Sequence, residues 1–223
     1  MKIMKTFDLY IVRHGQTYYN IYRKMQGWSN SPLTNQGQKD AENIAKKLAN
    51  IEFDAAYTSD MTRAEYTAEV ILKHNQASKI NRAIATPLLR GVFYGYYEGT
   101  NIDEANHIVS ATHGESNYHD LVNKYGQVKI KDFFHESDPF HQAENNDEYW
   151  QRWHKGFEKI QNDKNVQDGS KVLLVSHGPA ILSLIDRYGQ GKYDLEKRPE
   201  NGSLTKLHFD SDGNVTVLGY NIK

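Results

Sequence analysis

Two short apolar runs that each stop on a His-Gly pair limit what this chain can fold into more than any other feature. Phe7 to Val12 reads as a buried strand ending at Arg13-His14-Gly15. Lys171 to Ser176, the most strand-like segment of the chain, ends at His177-Gly178. Between them strands and helices alternate. A polar loop runs to Leu33, and Thr34 caps a helix with Ala41, Ile44, Ala45 and Leu48 on its apolar face. Phe53 to Thr58 predicts a second strand that stops at Ser59-Asp60. A helix follows from about Met61 to His74, then a short strand over Ile84 to Leu88. Further helices are predicted over about Asp147 to Gln161 and, with proline in its first turn, Pro179 to Tyr188. Leu204 to Phe209 and Val215 to Tyr220 flank Ser211-Asp212-Gly213-Asn214, a hairpin signal. The order predicts an α/β fold, a three-layer α/β/α arrangement with a mainly parallel sheet and an antiparallel C-terminal hairpin. Residues from about 100 to 144 are His- and Asn-rich, weakly periodic and broken by Gly114, Gly126 and Pro139. They predict a small, mostly helical insertion lying as a lid over one end.

With 223 residues, 38% of them hydrophobic, the chain holds enough apolar material for one α/β domain or two small ones. With a net charge of −1, nothing in the global electrostatics argues for a nucleic-acid or membrane partner, and none is expected; an anionic ligand would need a local positive pocket. The chain has no cysteine, which excludes disulfides, thiolate metal sites and a cysteine nucleophile, and fits a reducing cytoplasm. The first eight residues hold no apolar stretch long enough for a signal peptide, and no run of ~18 apolar residues occurs. A cytoplasmic location is expected.

In open α/β sheets ligands sit beyond the carboxyl ends of the strands. His14 and His177 both stand there, Arg13 adjoins His14, and Arg63 opens a helix just past a third strand end. Two imidazoles and two guanidiniums can converge on an anion the size of phosphate. A neutral imidazole is a nucleophile, guanidinium forks bind phosphate oxygens, and a protonated second histidine would donate to another oxygen. Gly15 and Gly178 would let backbone approach the anion. Singly, each residue reads as a structural histidine or a solvated arginine; their coincidence at three strand ends favours a site.

The string Arg13-His14-Gly15-Gln16-Thr17-Tyr18-Tyr19-Asn20 resembles the R-H-G-x-T-x-x-N signature of the histidine phosphatase superfamily, in its phosphoglycerate mutase-like branch. The resemblance continues in order through Gln26-Gly27-Trp28, Ser31-Pro32-Leu33-Thr34 with Gly37, Ser59-Asp60-Met61-Thr62-Arg63-Ala64, Thr67-Ala68 and Ser176-His177-Gly178. It implies a single domain over 1–223 with the insertion at about 100–144. It also implies that His14 is phosphorylated, and that Arg13, Arg63 and His177 complete the phosphate pocket. Thr17, Asn20, Gln26 and Gly27 would line that pocket on the substrate side. A small phosphorylated substrate is expected, with no metal or cofactor, acting on a monomer or homodimer.

One departure stands out. This branch carries L-R-E-x-x-F-G-x-W-E-G, whose first glutamate protonates the leaving oxygen. Here Leu89-Arg90-Gly91-Val92-Phe93-Tyr94-Gly95-Tyr96-Tyr97-Glu98-Gly99 puts Gly91 at that position. Glu98, Asp60 or a water is left to supply the proton, Glu98 first among them; otherwise the substrate has a good leaving group, or the protein chiefly binds. A metal-independent phosphatase is the leading expectation. A phosphoglycerate mutase and a weakly catalytic phosphate-binding regulator are the alternatives. The segment 100–144 has few lysines and no arginine, which counts against a mutase. His107, His113, His119, His135 and His141 in that segment fit no standard zinc spacing.

Overall fold

The computed structural model describes residues 4–223, so the leader expectation lies partly outside it, at Met1 to Ile3. Six strands form one sheet: β1 (Phe7–Arg13), β2 (Ala55–Ser59), β3 (Ile84–Thr86), β4 (Ser170–Ser176), β5 (Leu204–Phe209) and β6 (Val215–Ile222), in the order β3-β2-β4-β1-β5-β6. The first four in that order pair in parallel, and β5 and β6 add antiparallel.

Side chains alternate across the sheet with the two-residue period of a strand. Phe7, Leu9, Ile11, Val172 and Leu174 face one apolar layer, completed by α6 (Asn146–Gln161) and α7 (Gly178–Tyr188). Tyr10, Val12, Leu173 and Val175 face the other, under α2 (Asn35–Leu48) and α3 (Thr62–His74). The three-layer arrangement therefore follows from near-continuous apolar strands that must be covered on both faces. Thr34 caps α2 by accepting from the Gly37 N–H, as its position in the sequence implies. Trp153 is fully buried and Trp150 nearly so, packed between α6 and the sheet.

The loop expected from Gln16 to Leu33 contains a short helix, α1 (Tyr18–Ile21), which hydrophobic periodicity is too coarse to find. It is set by a capping box: the Thr17 hydroxyl accepts from the Asn20 N–H while the Asn20 side chain accepts from the Thr17 N–H. The expected strand through Leu88 stops at Thr86, because Pro87 cannot donate to a ladder and opens a 3-10 turn. Residues 100–144 form α4 (Ile102–Thr112) and α5 (Tyr118–Ser137), longer than their weak periodicity implies. Gly126 kinks α5 at φ 78°, and Gly114 follows α4 at φ 76°. These helices share an apolar cluster of their own with Met25, Tyr97 and Ala143.

Candidate active site

Strand register brings the two histidines together. β1 and β4 run parallel with Arg13 opposite Ser176, so the next residues, His14 and His177, leave the sheet at one level. The His14 N–H continues the ladder to the Ser176 carbonyl at 3.0 Å, and the ring centroids lie 5.3 Å apart. Arg63, in the first turn of α3 and 1% exposed, lies between the rings. Its Nε donates to His14 Nε2 at 3.3 Å and one Nη to His177 Nδ1 at 3.1 Å. The remaining donors hold the carbonyls of Ser29 and Gly27, each at 2.8 Å.

Those partners determine the tautomers. The Gly15 carbonyl can only accept, so His14 Nδ1 carries the proton at 2.8 Å and Nε2 presents its lone pair. For His177 the assignment reverses: Nδ1 accepts from Arg63 and Nε2 donates to the Ser59 hydroxyl at 2.7 Å. Both nitrogens of His177 are engaged in a neutral ring, so the donation to phosphate that a protonated second histidine would make is not set up in this arrangement. Burial, then the Arg63 charge, holds both imidazoles well below the usual histidine range. Burial also lowers Arg63 to about 10, leaving it charged at neutral pH.

The pH dependence of stability follows with a definite sign. The folded protein keeps both rings neutral below pH ~6.5, where the unfolded chain takes up protons. Stability is therefore lost as pH falls from 6.5, at ~1.4 kcal/mol per pH unit for each histidine. Thermal midpoints between pH 8 and 5 should fall more steeply for the wild type than for His14→Asn. Equal slopes would remove this account of the two rings.

The cleft in front of the histidines measures about 400 Å³. Arg13, Asn20, Gln26 and Gly178 line it. Arg13 donates to the Pro199 carbonyl at 2.5 Å, while its buried Nε has no partner. Burial, then the charge of Arg198, lowers Arg13 to about 10. Gln26 accepts from the Thr17 hydroxyl at 2.7 Å, and its buried amide nitrogen is likewise unpartnered. Two sets of buried donors thus converge beside His14 with bonds to spare. No aspartate or glutamate lines the cleft among the described residues.

Three expected pocket residues lie behind the cleft instead. The Gly15 N–H is held by Thr67, and a Cβ there would stand 2.1 Å from the Gly37 carbonyl oxygen, so its glycine serves a backbone crossing. Thr17 caps α1 and orients Gln26. Gly27 presents its carbonyl to Arg63 and has no room for a side chain against the Val92 carbonyl. Gly178 does line the cleft, but the space it leaves is filled by Arg13, whose Nε is 3.1 Å from where its Cβ would be.

Both carboxylates expected as proton donors are committed elsewhere. Glu98 accepts the N–H groups of Gly27, Trp28, Ser29 and Tyr94, at 2.8 to 3.1 Å. Four donors on one carboxyl leave no lone pair to carry a proton without breaking a bond, which corrects the expectation for Glu98. Asp60 is clamped by Arg90 through two 2.6 Å contacts, and that hydrogen bond lowers its pKa. Gly91 lies against the second histidine: a Cβ there would meet His177 Cβ and Cγ at 3.3 Å. A side chain at position 91 would therefore enter the site along that ring.

Other functional residues were not visible in the sequence. Asn201 donates to the His14 carbonyl at 2.9 Å, and Arg198 lines the cleft, both from a loop whose only signal is Arg198-Pro199-Glu200-Asn201-Gly202. Arg152 makes a two-pronged ion pair with Glu144 and donates to the carbonyls of Leu88, Arg90 and Gly91, fixing the segment that carries Gly91. Of the histidines of 100–144, His135 bonds the Ala143 carbonyl and its ring lies 5.6 Å from that of His141, while His113 faces Glu136 at 3.8 Å. Among the described residues no three His, Asp or Glu side chains stand together as metal ligands, and no helix is long and apolar enough to cross a membrane.

The family model for the histidine phosphatase superfamily (branch 1) matches residues 9–222. The chain belongs to this superfamily. It is 33% identical over 179 residues to "Probable phosphoglycerate mutase GpmB" of Escherichia fergusonii, covering 80% of this chain and 73% of that one. It is 38% identical over 102 residues to fructose-2,6-bisphosphatase TIGAR of Xenopus laevis, covering 45% and 37%. The crystal structure of phosphoglycerate mutase from Bacillus anthracis str. Sterne superposes with a TM-score of 0.89 at 32% identity, over 98% of this chain and 94% of that one. The proteins this chain resembles thus include ones named for mutase and for phosphatase activity.

Proposed function

We propose that this histidine phosphatase is a metal-independent phosphomonoesterase of the cytoplasm, acting on a small phosphorylated metabolite through a phosphohistidine on His14. The observation that carries the reading is the His14–Arg63–His177 constellation, in which the unprotonated Nε2 of His14 accepts from Arg63 Nε and Arg63 holds both rings. His14 Nε2 attacks phosphorus, and an N–P bond forms as the P–O bond to the leaving group breaks. Arg63 shifts its Nε–H from Nε2 to a phosphoryl oxygen, where Arg13 Nε and the Gln26 amide also donate. Water then attacks phosphorus, the N–P bond breaks, the water proton passes to solvent, and His14 returns to its neutral form. The cationic side chains do the charge work that a metal does elsewhere.

With Gly91, Glu98 and Asp60 all unable to deliver a proton, the leaving oxygen departs as a stabilised anion or takes a proton from solvent. Aryl, acyl and phosphoramidate substrates suit such a site; simple alkyl phosphates do not. Gly91→Glu should raise kcat/KM for an alkyl phosphate by about 10²-fold, the low end for a positioned general acid, because His177 must yield a few tenths of an ångström. It should change aryl phosphate turnover little. No gain on alkyl phosphates would show that the missing acid is not what limits the enzyme.

Likeness to two proteins named phosphoglycerate mutase favours a second reading, transfer back to a retained product. A mutase must re-donate to a held alcohol, and the glutamate that would carry its proton is replaced by Gly91 here. Assay of 3-phosphoglycerate with and without bisphosphoglycerate separates the two: isomerisation faster than release of phosphate would replace the phosphatase reading.

A further inference from the structure

Arg63 is buried, yet every acceptor it holds is uncharged: the carbonyls of Gly27 and Ser29, Asn30 Oδ1 and the two neutral imidazoles. A buried cation with only neutral partners is costly unless a counter-charge acts on it. Burial lowers Arg63 to about 10; against it Glu98 pulls the guanidinium up, and Arg13 lowers it further. Around Arg63 stand Arg13 and His14 at the end of β1, His177 at the end of β4, and Glu98; both rings are neutral, and Glu98 is the anion. Asp60, just before α3, is taken up by Arg90.

Between Glu98 and Arg63 stands a single peptide unit. The Gly27–Trp28 peptide gives its carbonyl to an Arg63 Nη and its N–H to Glu98 Oε1, each at 2.8 Å. A trans peptide points those two groups in opposite directions, with a dipole of about 3.5 D. Its negative end meets the guanidinium and its positive end the carboxylate, so each bond polarises and strengthens the other. The same carboxylate takes the N–H groups of Gly27 at 3.1 Å and Ser29 at 2.9 Å, so three successive N–H groups converge on it as in a backbone anion nest. Position 27 must be glycine for this closure, because a Cβ would stand 2.3 Å from Glu98 Oε1. The Ser29 carbonyl then holds a second Arg63 donor at 2.8 Å. From the other side the Tyr94 N–H fixes the carboxylate at 3.1 Å.

We propose that Glu98 is a positioning residue of the phosphate site, holding Arg63 in place and supplying its counter-charge through the Gly27–Trp28 peptide. The inference rests on the reading of the cleft as a phosphate site and gives Glu98 a task there other than proton donation. Glu98 takes no part in the bond-making at His14; it acts on the group that meets the phosphoryl oxygens.

The ¹³Cζ resonance of Arg63, assigned by its loss in Arg63→Lys, reads the charge of that side chain directly. In Glu98→Gln its titration midpoint should lie about one pH unit below that of the wild type, the effect of removing one charge a peptide unit away. Calorimetry at pH 8 should show affinity for inorganic phosphate falling about tenfold, because the glutamine nitrogen cannot accept and frees the loop that aims Arg63. Glu98→Asp keeps the charge but draws it back by one methylene, and should lie between the two in both readouts. It carries the test if Glu98→Gln does not fold. An Arg63 midpoint that stays at the wild-type value overturns the proposal even if phosphate affinity falls, since a loop brace without charge coupling would lower affinity alone. Unchanged phosphate affinity overturns it too. If the wild type neither binds phosphate nor hydrolyses phenyl phosphate, the phosphatase reading fails, and the Arg63 midpoint alone decides the role of Glu98.

Discussion

On the proposed phosphatase reading, replacing His14 with alanine should lower turnover by on the order of 10⁵-fold or more and abolish the acid-labile phosphoenzyme. The size of the loss follows from the position of Nε2. It is the unprotonated imidazole nitrogen held between the Arg63 donor and the cleft, with its tautomer set by the Gly15 carbonyl. His177 cannot substitute, because its Nδ1 faces Arg63 and its Nε2 proton is given to Ser59. Rapid quench with a ³²P-labelled aryl phosphate reads both quantities. The wild type should show label stable to base and lost in acid, and His14→Ala none. Label retained in the variant would move the nucleophile elsewhere.

Arg63→Lys should cost about 10³–10⁵-fold in kcat, a larger effect than so conservative a change suggests. The guanidinium reaches five acceptors at once: the carbonyls of Gly27 and Ser29, Asn30 Oδ1, His14 Nε2 and His177 Nδ1. A lysine has three donors on a flexible stem and cannot span both rings while holding the loop. At least one buried carbonyl is left unmet, at roughly 1–3 kcal/mol each, so the thermal midpoint also falls. Activity must therefore be measured well below the variant's own midpoint, together with vanadate affinity. A folded Arg63→Lys protein within tenfold of the wild type would show that Arg63 is structural cement alone.

The strand ends and the residues just beyond them were legible because two local signals coincide there: an apolar run and an abrupt His-Gly or Ser-Asp stop. Hence Arg13, His14, Arg63 and His177 could be placed, and parallel register then brought them together. What stayed hidden depends on contacts between distant segments. Glu98 reads as a free carboxylate in the chain, yet it gathers N–H groups from a loop about seventy residues away. Gly15 and Gly27 sit in the right motif, but whether a glycine faces ligand or another backbone is decided by α2 and by Val92. Arg198 and Asn201 lie in a segment with no strong periodicity, and only the folded chain brings them to the cleft.

The level at which β1 and β4 end has a consequence for how such a protein can change. The separation of the two imidazoles is set by the hydrogen-bonding pitch of adjacent parallel strands, the least adjustable length in the molecule. One wall of the cleft, by contrast, comes from α4 and α5, elements outside the sheet with their own small apolar cluster and a kink at Gly126. The imidazole spacing and that wall therefore rest on separate mechanical parts: one gauge is cut into the sheet, and the other is bolted on. Remodelling residues 102–137 should therefore reshape that wall while leaving the spacing of the two imidazoles as it is.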